Sequence, residues 1–191
     1  PVEAGVVFGP DSDWAPRIGP LLQHKGDPWN WQVAQVLERD LGIEPYFYIL
    51  HRDGIPFANI MTVEVDGVGI FGHVWTEPDD RRKGASSSLM ALQMAHFAAR
   101  SGRALFLGTG YGSVAYRMYE RFGFESVESC SGFMSYYATS EDQFNAGFFE
   151  PGPVVVEALS WHHWPLMQSL FLGGWPGVVR NAMGAIGRVL V

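Results

Sequence analysis

The chain has 191 residues, which predicts one domain with a remainder of about forty residues. It carries 13 Lys and Arg against 20 Asp and Glu, and 47% of its residues are hydrophobic. A composition this apolar excludes intrinsic disorder. The net charge of −7 disfavours nucleic acid as a partner, because phosphate contacts need clustered cations. Cys130 is the single cysteine, so a disulfide framework and a cysteine-rich zinc site are excluded.

Membrane insertion is not expected from the sequence. The most apolar stretch, residues 166–179, is interrupted by Gln168, a Gly-Gly pair and Pro176. It therefore falls short of the roughly 18 uninterrupted apolar residues that a spanning helix requires. The N-terminus shows no basic segment leading into an apolar run, which is the signal-peptide pattern. We expect a cytoplasmic protein with no membrane partner.

The first half of the chain predicts two helices followed by three strands. The helices are expected at residues 14–23 and 31–41. The strands are expected at residues 46–50, 56–65 and 68–76. Tight turns separate these strands, at residues 51–54 and at Asp66-Gly67, and an Asp-Gly pair is a strong hairpin signal. Three strands joined in this way form an antiparallel meander.

After Thr76 the pattern changes to alternating helices and strands. A polar loop at 78–84 leads into a strongly apolar helix at 86–100. The elements expected beyond it are a strand at 103–107, a glycine-rich turn at 108–112, a helix at 113–122, and strands at 124–129 and 133–139. The helix at 113–122 has an apolar stripe with helical spacing, formed by Ala115, Met118, Tyr119 and Phe122.

The polar loop has the outline of an anion site. Gly84 precedes a helix whose first N–H groups lack intrahelical partners and whose dipole favours negative charge. Arg81, Arg82 and Lys83 supply cations beside it. The pattern fits a phosphate or pyrophosphate site. Taken alone, the loop favours the alternative of a solvated basic loop that caps a helix.

The glycine-rich turn at 108–112 and Tyr119 each allow both a chemical and a structural interpretation. The strand followed by Gly108-Thr109-Gly110-Tyr111-Gly112 is similar to the nucleotide loop of Rossmann-like folds, S-adenosylmethionine-dependent methyltransferases included. Ser113, however, stands where the third glycine of that motif belongs, which favours an ordinary turn. Tyr119 is either a core residue or a tyrosine that donates a proton to a leaving group.

Two motifs in order resemble the signatures of the GNAT acetyltransferase superfamily. Thr76-x-Pro78-x-x-Arg81-x-x-Gly84-x-Ser86 is similar to its acyl-CoA loop. The second signature is matched by Leu105-x-Leu107-x-Thr109 followed by Ala115-x-x-Met118-Tyr119-Glu120-x-x-Gly123-Phe124. The resemblance begins near residue 4 and ends at 139. We therefore expect a GNAT-like domain at 1–139 and a C-terminal extension at 140–191.

The resemblance implies an α/β mixed sheet in which an antiparallel meander is joined to a splayed pair of parallel strands, with acetyl-CoA as co-substrate in the gap. An amine acceptor, either a small molecule or a peptide, would attack the thioester directly, and Tyr119 would protonate the departing thiolate. The expected cofactor-binding residues are Val74, Trp75, Thr76, Arg81, Arg82, Lys83, Gly84, Ala85, Ser86, Thr109 and Gly112. Gly112 stands where many members have an asparagine, so one cofactor contact is missing.

A general base is harder to assign. The positions on the strand at 68–76 where members often carry a base hold Ile70 and Gly72. His73 points to the opposite face of a regular strand, although a bulge would re-aim it. Glu64 on the preceding strand is the other candidate. No metal is expected, because His162-His163 has no third ligand at a recognisable spacing.

Two alternatives stay open beside the N-acetyltransferase. The empty base positions leave room for a non-catalytic GNAT-like module that binds acyl-CoA or a partner, and the glycine-rich turn leaves room for an S-adenosylmethionine-dependent methyltransferase. The extension is unusual as well, since residues 151–191 carry only Glu157, Arg180 and Arg188 as charges. A strand at 154–156 and a helix at 161–172 resemble the first elements of the domain. They predict either a partial second repeat or an apolar segment that packs on the domain or across a homodimer.

Overall fold

The computed structural model describes residues 1–172, which form two compact units. The first unit comprises residues 1–63 and 71–99, and the second comprises residues 64–70 and the described chain from Arg100 onward. The described strands form one seven-stranded sheet in the order β1-β2-β3-β4-β5-β7-β6. Of its strands, β1 is Glu3–Phe8, β2 is Glu44–Arg52, β3 is Ile55–Val65, β4 is Val68–Thr76, β5 is Ala104–Gly108, β6 is Glu125–Ser126 and β7 is Phe133–Tyr137.

The predicted meander is confirmed, and its two hairpin turns have the expected backbone. Asp53 and Gly54 have φ of 50° and 75°, and Asp66 and Gly67 have φ of 50° and 72°. Two successive left-handed residues are what a two-residue turn of type I′ requires, and its twist matches that of the flanking strands. These turns fix the register of β2, β3 and β4 and thereby the position of β4.

The first unit contains three α-helices: α1 is Ala15–Leu22, α2 is Trp29–Glu38 and α3 is Ala85–Ala99. The apolar positions predicted for α2, Val33, Val36 and Leu37, are buried. Helix α1 packs on α2, and α3 packs on β2. Strand β1 pairs antiparallel with β2, from Glu3 opposite His51 to Phe8 opposite Tyr46.

The second unit contains the remaining described helices: α4 is Val114–Arg121, α5 is Glu141–Phe148 and α6 is His163–Leu172. The start of β4 pairs parallel with β5, with Val68–Ile70 opposite Ala104–Phe106, and β5 pairs antiparallel with β7. The mixed sheet with one parallel pair is therefore confirmed. The splay of that pair and the cofactor gap stay predictions.

Helices α5 and α6 cover a core on the second unit's part of the sheet. Val68, Ala104, Phe106 and Phe144 form this buried core. Partly buried side chains of Tyr137, Phe148, Leu166 and Leu172 pack against it. Helix α5 was not predicted, although Ser140 caps it by accepting a hydrogen bond from the Gln143 N–H at 3.2 Å.

Besides the unpredicted α5, the extension differs from the prediction at residues 154–156. The strand expected at 154–156 is wrong, because Val154, Val155 and Val156 are exposed and lie in a segment without regular secondary structure. Pro151 and Pro153 precede them and lack the N–H that a ladder needs. The expected helix is confirmed as α6. Whatever was predicted of residues 173–191, including their part in a homodimer, lies outside the described residues.

None of the helices in residues 1–172 combines the length and the apolar character needed to cross a bilayer. The domain boundary at residue 139 stays a prediction.

Candidate functional site

Strand β4 has an irregular backbone at the position of one candidate base. His73 has φ of 50°, a left-handed conformation that interrupts the regular pleat in the middle of the strand. The His73 carbonyl accepts a hydrogen bond from Asn59 Nδ2 at 3.0 Å. Because the pleat is broken at His73, strict alternation no longer dictates which face its side chain takes.

The His73 imidazole is held in its neutral form. Burial, with Lys25 and His24 as smaller contributions, lowers its pKa to about 4. Its Nδ1 atom is buried and has no hydrogen-bond partner among residues 1–172. An uncharged imidazole with an unused nitrogen can accept or relay a proton from a ligand, although so low a pKa makes it a weak base.

Trp75, two residues further along β4, is fixed by residues distant in sequence. The His24 ring stacks on the indole with ring centroids 3.6 Å apart, and the Arg81 guanidinium lies 4.7 Å from the centroid of the indole ring. Trp75 Nε1 is also buried without a hydrogen-bond partner in the described part of the chain. The sequence does not indicate His24 and Lys25, because nothing in their spacing links the turn after α1 to β4.

Two contacts within the loop from β4 to α3 hold its two ends together. Arg81 Nε donates to the Thr76 carbonyl at 2.9 Å, and the hydroxyl oxygens of Thr76 and Ser86 lie 3.3 Å apart. Gly84 has φ of 85°, a conformation that favours glycine, and a Cβ placed on it would meet no atom within 4 Å. The Ser88 N–H donates to the Gly84 carbonyl at 3.0 Å. The amides of residues 85–87 precede the first intrahelical bond and therefore have no acceptor within the helix.

Asp80 anchors this loop to the end of β2. Its carboxylate accepts two hydrogen bonds from Arg52, at 2.8 and 2.9 Å, and a third from Lys83 at 3.2 Å. The Arg52 hydrogen bonds, with a smaller contribution from Lys83, hold the Asp80 pKa at about 2. Asp80 was not singled out in the sequence. Lys83 is thus partly engaged with Asp80, whereas Arg82 is exposed beside it.

In the second unit, Tyr119 lies on the buried side of α4. Its side chain is 5% exposed, and burial raises its pKa to about 12. The phenol is therefore protonated at neutral pH, as a proton donor must be. Ser113 caps α4 by accepting a hydrogen bond from the Tyr116 N–H at 3.1 Å, as a short helix after a glycine-rich turn requires.

The other predicted cofactor residues of this unit lie on the turn before α4. The Thr109 N–H donates to the Gly132 carbonyl at 2.8 Å, so this amide is already used within the protein. Gly112 is exposed and has φ of 66°, which favours glycine at this position. The Thr109–Gly132 hydrogen bond and the left-handed backbone of Gly112 thus fix the shape of the turn. Thr109 can offer a ligand its side chain but not its amide.

Glu64 is engaged in a buried ion pair. Its side chain is fully buried, and its two oxygens accept from the Arg100 guanidinium at 2.9 and 3.0 Å. Both residues belong to the second unit. A carboxylate held in this fork-to-fork geometry serves packing and charge compensation, so the structure argues against Glu64 as a free base.

One family model matches part of the chain. Residues 58–127 match the family model of the acetyltransferase (GNAT) domain. No curated protein matches this sequence. The matched segment runs from β3 to the end of β6, so it includes the loop with Gly84 and Tyr119.

Solved structures show the same fold at low sequence identity. The ribosomal-protein-S18-alanine N-acetyltransferase from Escherichia coli is 15% identical with a TM-score of 0.58, over 73% of this chain and 96% of that one. An acetyltransferase of the GNAT family from Staphylococcus aureus MU50 is 10% identical with a TM-score of 0.55, over 72% and 100%. An aminoglycoside 6'-N-acetyltransferase complexed with coenzyme A is 13% identical with a TM-score of 0.51, over 72% and 98%.

The fold is thus that of the acyl-CoA N-acyltransferases. Residues 58–127 are thus similar to the GNAT acetyltransferase domain, and the chain shares the fold of solved acetyltransferases. These findings support the expectation of an acyltransferase and leave the methyltransferase alternative without support.

Proposed function

We propose that this protein is an N-acetyltransferase that transfers an acetyl group from acetyl-CoA to an amine, which is either a small molecule or a peptide. The observation that carries the proposal is the loop between β4 and α3. Its free amides at Ala85 and Ser86, the open approach at Gly84 and the exposed Arg82 form a cradle for a pyrophosphate. Arg81 and Lys83 add positive charge to this cradle.

The residues of β4 also fit an extended ligand. The buried Trp75 Nε1 and His73 Nδ1 atoms have no hydrogen-bond partner within residues 1–172, and the Asn59 Oδ1 atom is in the same state. Buried polar atoms are costly to leave unpaired, so three of them around one strand are a reason to expect a ligand there. The backbone of Val74, Trp75 and Thr76 would hold the pantetheine arm.

When bound, acetyl-CoA supplies an activated thioester that an amine can attack directly. Tyr119, which its pKa of about 12 keeps protonated at neutral pH, would donate its phenolic proton to the departing thiolate, and the resulting phenolate would take a proton back from solvent before the next turnover. Thr109 and Gly112 stay proposed cofactor contacts on the turn before α4.

His73 is the base candidate that we retain. Its imidazole is neutral at neutral pH, because burial lowers its pKa to about 4. It can therefore accept a proton from the attacking amine, but it binds that proton weakly. We assign it the task of taking the proton during attack and passing it on to water.

A second candidate function has one observation in its favour. The pKa of His73 is low, and Glu64 is bound to Arg100, so neither group is a strong base near neutral pH. A module that binds acyl-CoA without transfer would have these same properties. Turnover separates the two functions.

The test is transfer by the full chain, with acetyl-CoA and a panel of small amines and peptide N-termini, followed as thiol release and as acetylated product by mass spectrometry. Product above the uncatalysed rate supports the enzyme, and binding of acetyl-CoA without product on any amine supports the module. Arg82→Glu should raise the KM for acetyl-CoA at least about tenfold, an effect of roughly 1.4 kcal/mol. The same charge reversal at the exposed Arg39, at the end of α2, is the matched control and should leave this KM unchanged.

A further inference from the structure

At the start of α6 two adjacent histidines point their ring nitrogens at one carboxylate. Glu157 Oε1 lies 3.1 Å from His163 Nε2 and 3.4 Å from His162 Nε2. The two imidazole rings lie 3.9 Å apart between centroids, with their planes 34° apart. All three potential ligand atoms lie within 4.8 Å of one another. The sequence spacing did not show this third side chain, which reaches the histidines from the irregular segment before α6.

The separations match those of ligands around a zinc ion. Zinc bonds to imidazole nitrogen and carboxylate oxygen are roughly 2.0–2.2 Å long, and tetrahedral angles then place neighbouring ligand atoms about 3.3 Å apart. The two distances from Glu157, 3.1 and 3.4 Å, lie on either side of this value. Glu157 is therefore at a ligand-like distance from each of the two histidines.

Ser160 can orient both histidines for binding through Nε2. Its hydroxyl oxygen lies 2.8 Å from His162 Nδ1 and 3.2 Å from His163 Nδ1, and its carbonyl oxygen lies 3.3 Å from the latter. The hydroxyl oxygen can accept the Nδ1 proton of His162, which leaves that Nε2 lone pair for a metal, and His163 reaches the same state once its Nδ1 gives up the Ser160 N–H and donates to a Ser160 oxygen. Metal-bound histidines commonly donate their second nitrogen in this way. The Ser160 N–H also lies 3.0 Å from His163 Nδ1, so the metal-free ring can instead accept there and donate from Nε2 to Glu157.

The donor set and its exposure favour one class of ion. Two imidazoles with one carboxylate suit zinc and its transition-metal neighbours, whereas magnesium and calcium prefer oxygen ligands alone. The side chains of His162, His163 and Glu157 are 42%, 26% and 54% exposed. An ion can therefore enter from solvent and complete its coordination with water.

We propose that Glu157, His162 and His163 form a zinc site that joins the irregular segment before α6 to the start of that helix. Helix α6 itself packs on the core of the second unit through Leu166 and Leu172. Zinc would thus hold an exposed stretch of chain against a helix that is already in place. This site is independent of the proposed acetyl transfer, so either proposal can fail without the other.

The test is calorimetric titration of the tag-free full chain with zinc chloride, and with magnesium chloride in parallel. Zinc should bind one equivalent, and magnesium should not bind. Glu157→Gln and the double variant His162→Gln/His163→Gln should each weaken zinc binding at least about tenfold. Glu150→Gln, which removes an exposed carboxylate from the same segment, is the matched control and should bind zinc like the unmodified chain.

Circular dichroism checks that each variant retains its fold. Cobalt(II) serves as a spectroscopic probe, because nitrogen ligands in a site of low coordination number give intense visible bands, and these bands should be lost in the double variant. If the unmodified chain does not bind zinc, or if the three variants bind it equally, the cluster is only a hydrogen-bonded helix cap and the proposal is overturned.

Discussion

Asp80 and Arg52 form a two-pronged ion pair, at 2.8 and 2.9 Å, that joins the loop before α3 to the end of β2. Nothing in the local sequence predicts it, because the two residues belong to elements separated by the β3–β4 hairpin. The pair positions the segment that carries Arg81, Arg82 and Gly84. The proposed pyrophosphate cradle therefore depends on a contact outside its own motif.

Asp80→Asn should lower the thermal stability in a pH-dependent manner. The folded pKa of Asp80 is about 2, below its ordinary value of 3.8, so its contribution is present above pH 3.8 and is lost as the pH falls through 2. The difference in Tm between the unmodified chain and the variant should be largest at neutral pH and shrink towards pH 2. Asp79→Asn, at an exposed neighbouring carboxylate, should show no such trend. A Tm difference that is constant across this pH range would contradict the account.

Tyr119→Phe should lower kcat by roughly 10²–10⁴-fold, the usual contribution of a general acid. The affinity for acetyl-CoA should change little, because only the hydroxyl is removed. Tyr116→Phe is the matched control on the same helix. Its hydroxyl lies 2.7 Å from Ser126 Oγ, so its removal should affect stability rather than kcat. Equal losses of kcat in both variants would show a structural effect and not proton donation.

His73→Asn should reduce the loss of folding stability that the unmodified chain shows as the pH falls below 6.5. Because the folded pKa of His73 is about 4 and its ordinary value is 6.5, the unfolded chain binds the proton first, and stability falls as the pH drops from 6.5 to 4. The variant lacks this loss, which is on the order of 3 kcal/mol. Asparagine tolerates the left-handed backbone at this position. Urea denaturation at a series of pH values measures the difference, and parallel profiles would refute the assignment.

Glu64→Gln should destabilise the protein without changing the chemistry. Removing one partner of a buried ion pair leaves Arg100 uncompensated and costs about 3 kcal/mol or more. The kcat of the folded enzyme should stay the same, since Glu64 is bound to Arg100. Glu125→Gln, an exposed glutamate on β6, should change the free energy of unfolding by less than about 0.5 kcal/mol. A large fall in kcat with stability unchanged would restore Glu64 as the base.

Local patterns in the sequence predicted much of the fold. Both Asp-Gly turns were found because left-handed residues have a strong residue preference, and the apolar stripe of α4 correctly placed Tyr119 on a buried face. The strand expected at 154–156 failed because three valines have strand propensity but no partner strand, and propensity alone does not form a ladder.

The candidate site was only partly predictable for a related reason. The loop residues up to Ser86 lie in one continuous motif, so their order along the chain revealed them. His24 beside Trp75, Arg52 beside Asp80 and Glu157 beside the two histidines are tertiary contacts with no periodic signal. His73 was partly predictable. The alternation of side chains along the strand showed that the face taken by His73 was in question, but only the structure shows the left-handed backbone at this residue.

Acetyl-CoA binding is the claim on which the proposed function depends most directly. Thermal unfolding of the full chain should be followed without ligand, with acetyl-CoA, with CoA, and with ATP as a phosphate-bearing control. At about a hundred times its dissociation constant, acetyl-CoA should stabilise the fold by roughly 2.7 kcal/mol and raise Tm, whereas ATP should have a much smaller effect. Unchanged unfolding with both acetyl-CoA and CoA would contradict the account.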